Sequence, residues 1–185
     1  MKIPGKKVLC YEAGYLGYSL QRELAKAGYE CKVIAPSLIP ELKGNRVKTD
    51  RLDAAKLARY LAGGLLTEVH VPDEADEALR TLLRSRQGIV TQLTQVKNRI
   101  NGLCRTLGWD FKEEKSQKCY WTTLHMTWLN EKLGSSLQPM TAMNLELLLL
   151  QKKQLEDLIQ KYDQVIESVS KEPRYKRAYQ ALTVY

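Results

Sequence analysis

A chain of 185 residues, 44% of them hydrophobic, has room for one domain with an appendage or for two small domains, and it carries enough apolar side chain to bury a core, which excludes a disordered tract. Twenty-nine Lys and Arg against 21 Asp and Glu leave a net charge of +8, which favours a polyanionic partner without naming it. Four scattered cysteines without a C-x-x-C pair and two distant histidines exclude an obvious zinc site or disulfide framework and fit a reduced, cytoplasmic setting; no segment reaches the ~20 apolar residues needed to cross a bilayer.

Taken in chain order, KVLCYE (7 to 12) reads as a short buried strand that ends in turn chemistry at Ala13 and Gly14. Leu16, Leu20, Leu24 and Ala27 then fall at helical spacing, with Gly28 closing the helix. YECKVIAP (29 to 36) repeats the strand signal, and a loop with Pro36, Pro40 and Gly44 follows. Leu52, Ala55, Leu57, Ala58 and Leu61 mark a second helix ended by Gly63 and Gly64, and LTEVHVP (66 to 72) reads as a third strand stopped by Pro72. Strand, helix, strand, helix, strand is the pattern of parallel crossover units, so residues 1 to 73 are expected to form part of an α/β sheet.

From Asp73 the periodicity changes. Leu79, Leu82, Ile89, Leu93, Val96, Ile100, Leu103 and Leu107 alternate steps of three and four, broken only where Arg86 takes a seam position, which is a heptad pattern on one long helix. Residues 108 to 140 form a mixed connector holding Trp109, Trp121 and Trp128, whose rings either stack bases or form a small core. Leu148, Leu155, Leu158, Tyr162, Val165 and Val169 resume the three-four spacing up to Pro173, so residues 74 to 172 read as a long helical antiparallel coiled-coil hairpin.

The chemistry concentrates near the start of the second helix. Asp50 and Asp53, three apart, share one helix face, and their carboxylates either complement the helix dipole beside a cap at Thr49 or Asp50, or flank a divalent cation. Glu12, ending an apolar strand, lies at the edge of a parallel sheet where active sites gather, and three carboxylates suit hard cations that promote phosphodiester cleavage. Lys43, Arg46, Lys48 and Arg51 surround the aspartate pair and read either as phosphate ligands or as a solvated loop. Between Arg80 and Leu107 stand six cations, Arg80, Arg84, Arg86, Lys97, Arg99 and Arg105, and no acid, so the long helix is either a nucleic-acid-binding surface or a solvated flank.

The ordered stretches YEAGYLGYSLQRELAKAG, VIAPSLIP, NRVKTDRLDAAKLARYL and LTEVHVPDEADEALRTLLRSR, spread over residues 8 to 86, resemble the RuvC-like domain of DEDD-type insertion-sequence transposases, the family numbered one hundred and ten. The resemblance implies a partial RNase H-like fold and a catalytic, metal-binding site of four carboxylates for Mg²⁺ (or Mn²⁺), with Glu12, Asp50 and Asp53 as its second, third and fourth acids. It also implies RNA-guided, site-specific DNA recombination, with DNA and a structured guide RNA as partners, homodimer assembly through the coiled coil, and a nucleoid-associated place in a bacterial or archaeal cytoplasm.

Two departures from the family pattern are expected to matter. The strand bearing the first Asp has no counterpart here, and residues 173 to 185 read as the start of a C-terminal domain whose catalytic serine is absent, so the chain looks like an internal piece of a transposase with weak metal binding and little activity alone. The rival reading is a catalytically inactive nucleic-acid-binding or dimerisation module, or a pseudogene remnant, in which the acids are structural.

Overall fold

The computed structural model describes residues 7–40, 50–116, 119–135 and 137–183. The chain divides into two compact units, Met1–Glu74 and Ala75–Tyr185. Its described residues form an α/β structure with a small parallel sheet and seven α-helices, and no helix among them is long and apolar enough to cross a membrane.

In the first unit, β1 (Val8–Glu12) pairs in parallel with β2 (Glu30–Ile34), with Val8 opposite Glu30 and Glu12 opposite Ile34. The crossover is α1 (Ser19–Lys26). It is shorter than the periodicity implies, because Gly14–Gly17 is spent on a turn closed by the Gly17 N–H donating to the Gly14 carbonyl at 3.1 Å. The core lies under β2, where Cys31, Val33 and Ile34 are buried. β1 departs from the expected buried strand: none of its residues is fully buried, and Leu9 is exposed. Among the described residues β2 is its sole strand partner, so a VLCY strand presents half its apolar surface on an open flank.

The third segment also departs from expectation. It does not join the parallel ladder; it meets β2 through one antiparallel bridge, Ile34 with Glu68, supported by Ala35 N–H to the Thr67 carbonyl (3.0 Å) and Val69 N–H to the Val33 carbonyl (2.8 Å). Before it, α2 (Asp50–Ala62) is closed by Gly64 at φ 66° and by the Leu65 N–H bonded to the Tyr60 carbonyl.

The second unit is helical. Helix α3 (Glu74–Thr106) is followed by the short α4 (Phe111–Lys115), α5 (Thr123–Leu133), α6 (Pro139–Ser170) and α7 (Pro173–Thr183). Arg86 on α3 pairs with Asp163 on α6, Lys97 with Glu156, and Asp76 with Arg174 on α7. As one residue number rises the other falls, so α3 runs antiparallel to α6, and the start of α7 meets the start of α3.

The α3 seam follows the heptads, with Val96 and Ile100 buried. On α6 the seam is shifted by one residue at alternate positions: Leu158 and Val165 are exposed, and Ile159 and Ile166 take the half-buried places. Leu155, Tyr162 and Val169 stay on the inner face, with four-residue steps from 155 to 159 and from 162 to 166 and three-residue steps after Ile159 and Ile166.

The connector supplies the core between the helix ends. Trp128 and Phe111 are buried with His125; Phe111 meets both other rings tilted and His125 stacks on Trp128, at centroid distances of 4.6–5.6 Å. Asp110 caps α4 by accepting from the Lys112 and Glu113 N–H groups, and the Trp128 indole donates to Glu114 at 3.0 Å. Trp128 is thus a core residue, and the half-buried Trp109 and Trp121 pack against that core.

Candidate functional site

An open groove of about 670 Å³ runs between β1 and α2. Five consecutive β1 residues, Val8 to Glu12, form one wall, and Asp50, Asp53 and the apolar face of α2 at Leu57 and Leu61 form the other. Glu12 arrives there as the last residue of β1, held in register by the Ala13 N–H bond to the Ile34 carbonyl at 2.8 Å. Asp50 and Asp53 occupy the first turn of α2, where their charge also complements the helix dipole. All three carboxylates are exposed to solvent. The Cys10 thiol lines the same groove, and burial raises its pKa, so it stands there as a neutral group.

Oxygen donors of this kind suit a hard cation, and residues three apart on a helix have Cβ atoms about 5–6 Å apart, close enough to flank one. The three acids share the groove without converging: among the described residues no three His, Cys, Asp or Glu side chains approach closely enough to enclose a single metal ion.

The basic residues separate into distinct environments. Arg51 is exposed on α2 between the two aspartates, while Lys43, Arg46 and Lys48 lie outside the described residues. On α3, Arg80, Arg84 and Arg99 are exposed and face away from the seam. Arg86 differs: its Nε donates to Asp163 Oδ1 at 2.5 Å and its Nη2 to Oδ2 at 3.2 Å, so this cation is engaged within the chain. The forked bond holds Arg86 above and Asp163 below their ordinary pKa values. Lys97 is likewise engaged, 3.7 Å from Glu156 and over the Trp121 ring at 5.5 Å. Glu156 also accepts from the buried Lys152 at 2.7 Å. The seam position of Arg86 was the one sequence signal for this network; nothing in the spacing pointed to Glu156.

Residues 6–107 match the profile of the DEDD transposases of IS110 elements, described as Transposase. The chain is similar to y4qE of Sinorhizobium fredii (strain NBRC 101917 / NGR234), a transposase by assignment, at 45% identity over 66% of this chain and 30% of that protein. It is also similar to the transposase for insertion sequence element IS1533 of Leptospira borgpetersenii, at 39% identity over 65% of this chain and 34% of the relative. The chain thus spans about a third of the length of these curated relatives. No solved structure matches. Matched over more than half its length, the chain belongs to the IS110-type DEDD transposase family.

Proposed function

We propose that this chain is the acid-bearing part of a DNA transposase, built on a partial RNase H-like sheet, in which Glu12, Asp50 and Asp53 hold a divalent metal ion against a DNA phosphate. The observation that carries this reading is the common groove, which brings the end of β1 and the first turn of α2 to one opening. Bound there, Mg²⁺ or Mn²⁺ supplies Lewis-acid stabilisation of a phosphodiester under attack. The residues themselves supply negative charge for the cation, and Arg51 supplies a phosphate partner beside it. Because the three acids do not enclose one ion, metal binding by this chain alone is weak, and full activity belongs to a fuller carboxylate set.

The exposed face of α3 with Arg80, Arg84 and Arg99 serves the nucleic acid backbone, either the DNA or a structured guide RNA. The α3–α6 pair acts as the coiled-coil hairpin through which copies assemble, in a bacterial or archaeal cytoplasm. The division of labour follows residues 1–73 for the acids and 74–172 for assembly, with α7 bonded back to α3 through Arg174 and Tyr175 at Asp76.

The rival, a binding or assembly module with structural acids, draws on the open spacing of the carboxylates. A duplex-DNA titration across salt, with and without Mg²⁺, separates the two. On the enzyme reading, Mg²⁺ tightens binding and the paired substitution Asp50→Asn with Asp53→Asn removes that gain. On the module reading, Mg²⁺ acts only as a screening ion and the paired substitution leaves its effect intact.

A further inference from the structure

The turn that follows β1 carries an aromatic ring with nothing packed on it. Tyr15 is 99% exposed, whereas Tyr29 and Tyr179, the other exposed tyrosines among the described residues, are at 45% and 48%. The turn beneath it is well built: Gly17 at φ 57° closes back on Gly14, and the Tyr11 hydroxyl donates to the Gly17 carbonyl at 2.9 Å. Tyr15 and Leu16 therefore project at the two central positions of a turn fixed at both ends. Leu16 lines the groove with Glu12, Asp50 and Asp53, and the Cα of Tyr15, the residue before it, is about 3.8 Å away.

We propose that Tyr15 is a stacking platform for an unpaired DNA base at the rim of the acidic groove. A strand whose phosphate is held at the carboxylates through a divalent cation places the neighbouring base beside this turn, and a tyrosine face accepts any base without reading its edge. The hydrophobic ring gains a cover, and the fixed turn holds it in place before the strand arrives. This inference rests on the groove taking nucleic acid.

The test compares a short oligodeoxythymidylate with an abasic oligomer of equal length and charge, by fluorescence anisotropy at low salt. Tyr15→Ala is expected to weaken the base-bearing strand by roughly 5- to 100-fold, the range of a single stacking contact, and to leave the abasic strand unchanged. Tyr15→Phe and Tyr15→Trp retain binding, because the ring is the active element. Unchanged affinity for the thymidylate, equal losses on both strands, or a Tyr15→Phe loss as large as that of Tyr15→Ala would each overturn the role of the ring. If neither strand binds in a salt-dependent way, the nucleic-acid reading of the groove itself fails. A ring so exposed contributes little to folding, so these substitutions report on binding.

Discussion

At the scale of single residues, the aromatic connector sets the stability of the helical unit. Trp128→Ala removes a buried ring and its indole bond to Glu114, which keeps its Lys132 partner, and a denaturant titration should show a loss of about 3–5 kcal/mol. His125 gives this core a pH dependence. Burial, with Lys152 nearby, lowers its pKa from 6.5 to about 4, and its Nδ1 accepts the Trp121 N–H at 3.0 Å, so it is held neutral. Unfolded, the imidazole binds a proton below about pH 6.5; folded, it resists until about pH 4. Stability is thus full above pH 6.5 and falls as pH drops through that window, by at most about 1.4 kcal/mol per pH unit. His125→Asn should flatten the dependence between pH 6.5 and 5 in equilibrium unfolding. The placements of Glu12, Asp50 and Asp53 were legible because a strand end and a helix first turn have local signatures. Tyr15 was not legible, since a tyrosine in a turn looks the same in sequence whether its ring is covered or bare.

At the scale of elements, the heptads located α3 and α6, and the departure on α6 has a physical cause. An apolar residue stands at both 158 and 159, and Val165 adjoins Ile166, so either phase satisfies a three-four count. Side-chain direction across the pair decides, and spacing alone does not carry it. Leu158→Gln and Val165→Gln should cost less than about 0.5 kcal/mol in thermal or denaturant unfolding, whereas Ile159→Gln and Ile166→Gln should each cost about 1–2 kcal/mol. On the proposed reading the exposed α3 arginines bear on binding instead: Arg84→Gln and Arg99→Gln should each reduce the salt slope of DNA affinity by about 1, while Arg86→Gln chiefly loosens the contact with Asp163. The antiparallel return at Glu68 was hidden because the composition of LTEVHVP marks it as extended without marking its direction.

At the scale of the whole molecule, the boundary between its two compact units coincides with a change of period, from strand and short-helix patterning to long heptads. The first unit carries one acid at the end of a thin sheet's half-exposed strand and two on the first turn of α2, and the second carries a tryptophan-lined core and a basic helix. A family-wide resemblance over ordered motifs exposed the affiliation, but not the spacing of the carboxylates, which depends on how β1 and α2 face each other across the groove. The account stands on that groove accepting a divalent cation. The most direct measurement is paramagnetic broadening of backbone amide signals by Mn²⁺ in the isotopically labelled chain. Broadening centred on Glu12, Asp50 and Asp53, competed by Mg²⁺ and lost in the Asp50→Asn and Asp53→Asn pair, is the predicted result. Broadening that is centred elsewhere, or that survives the paired substitution, would contradict it.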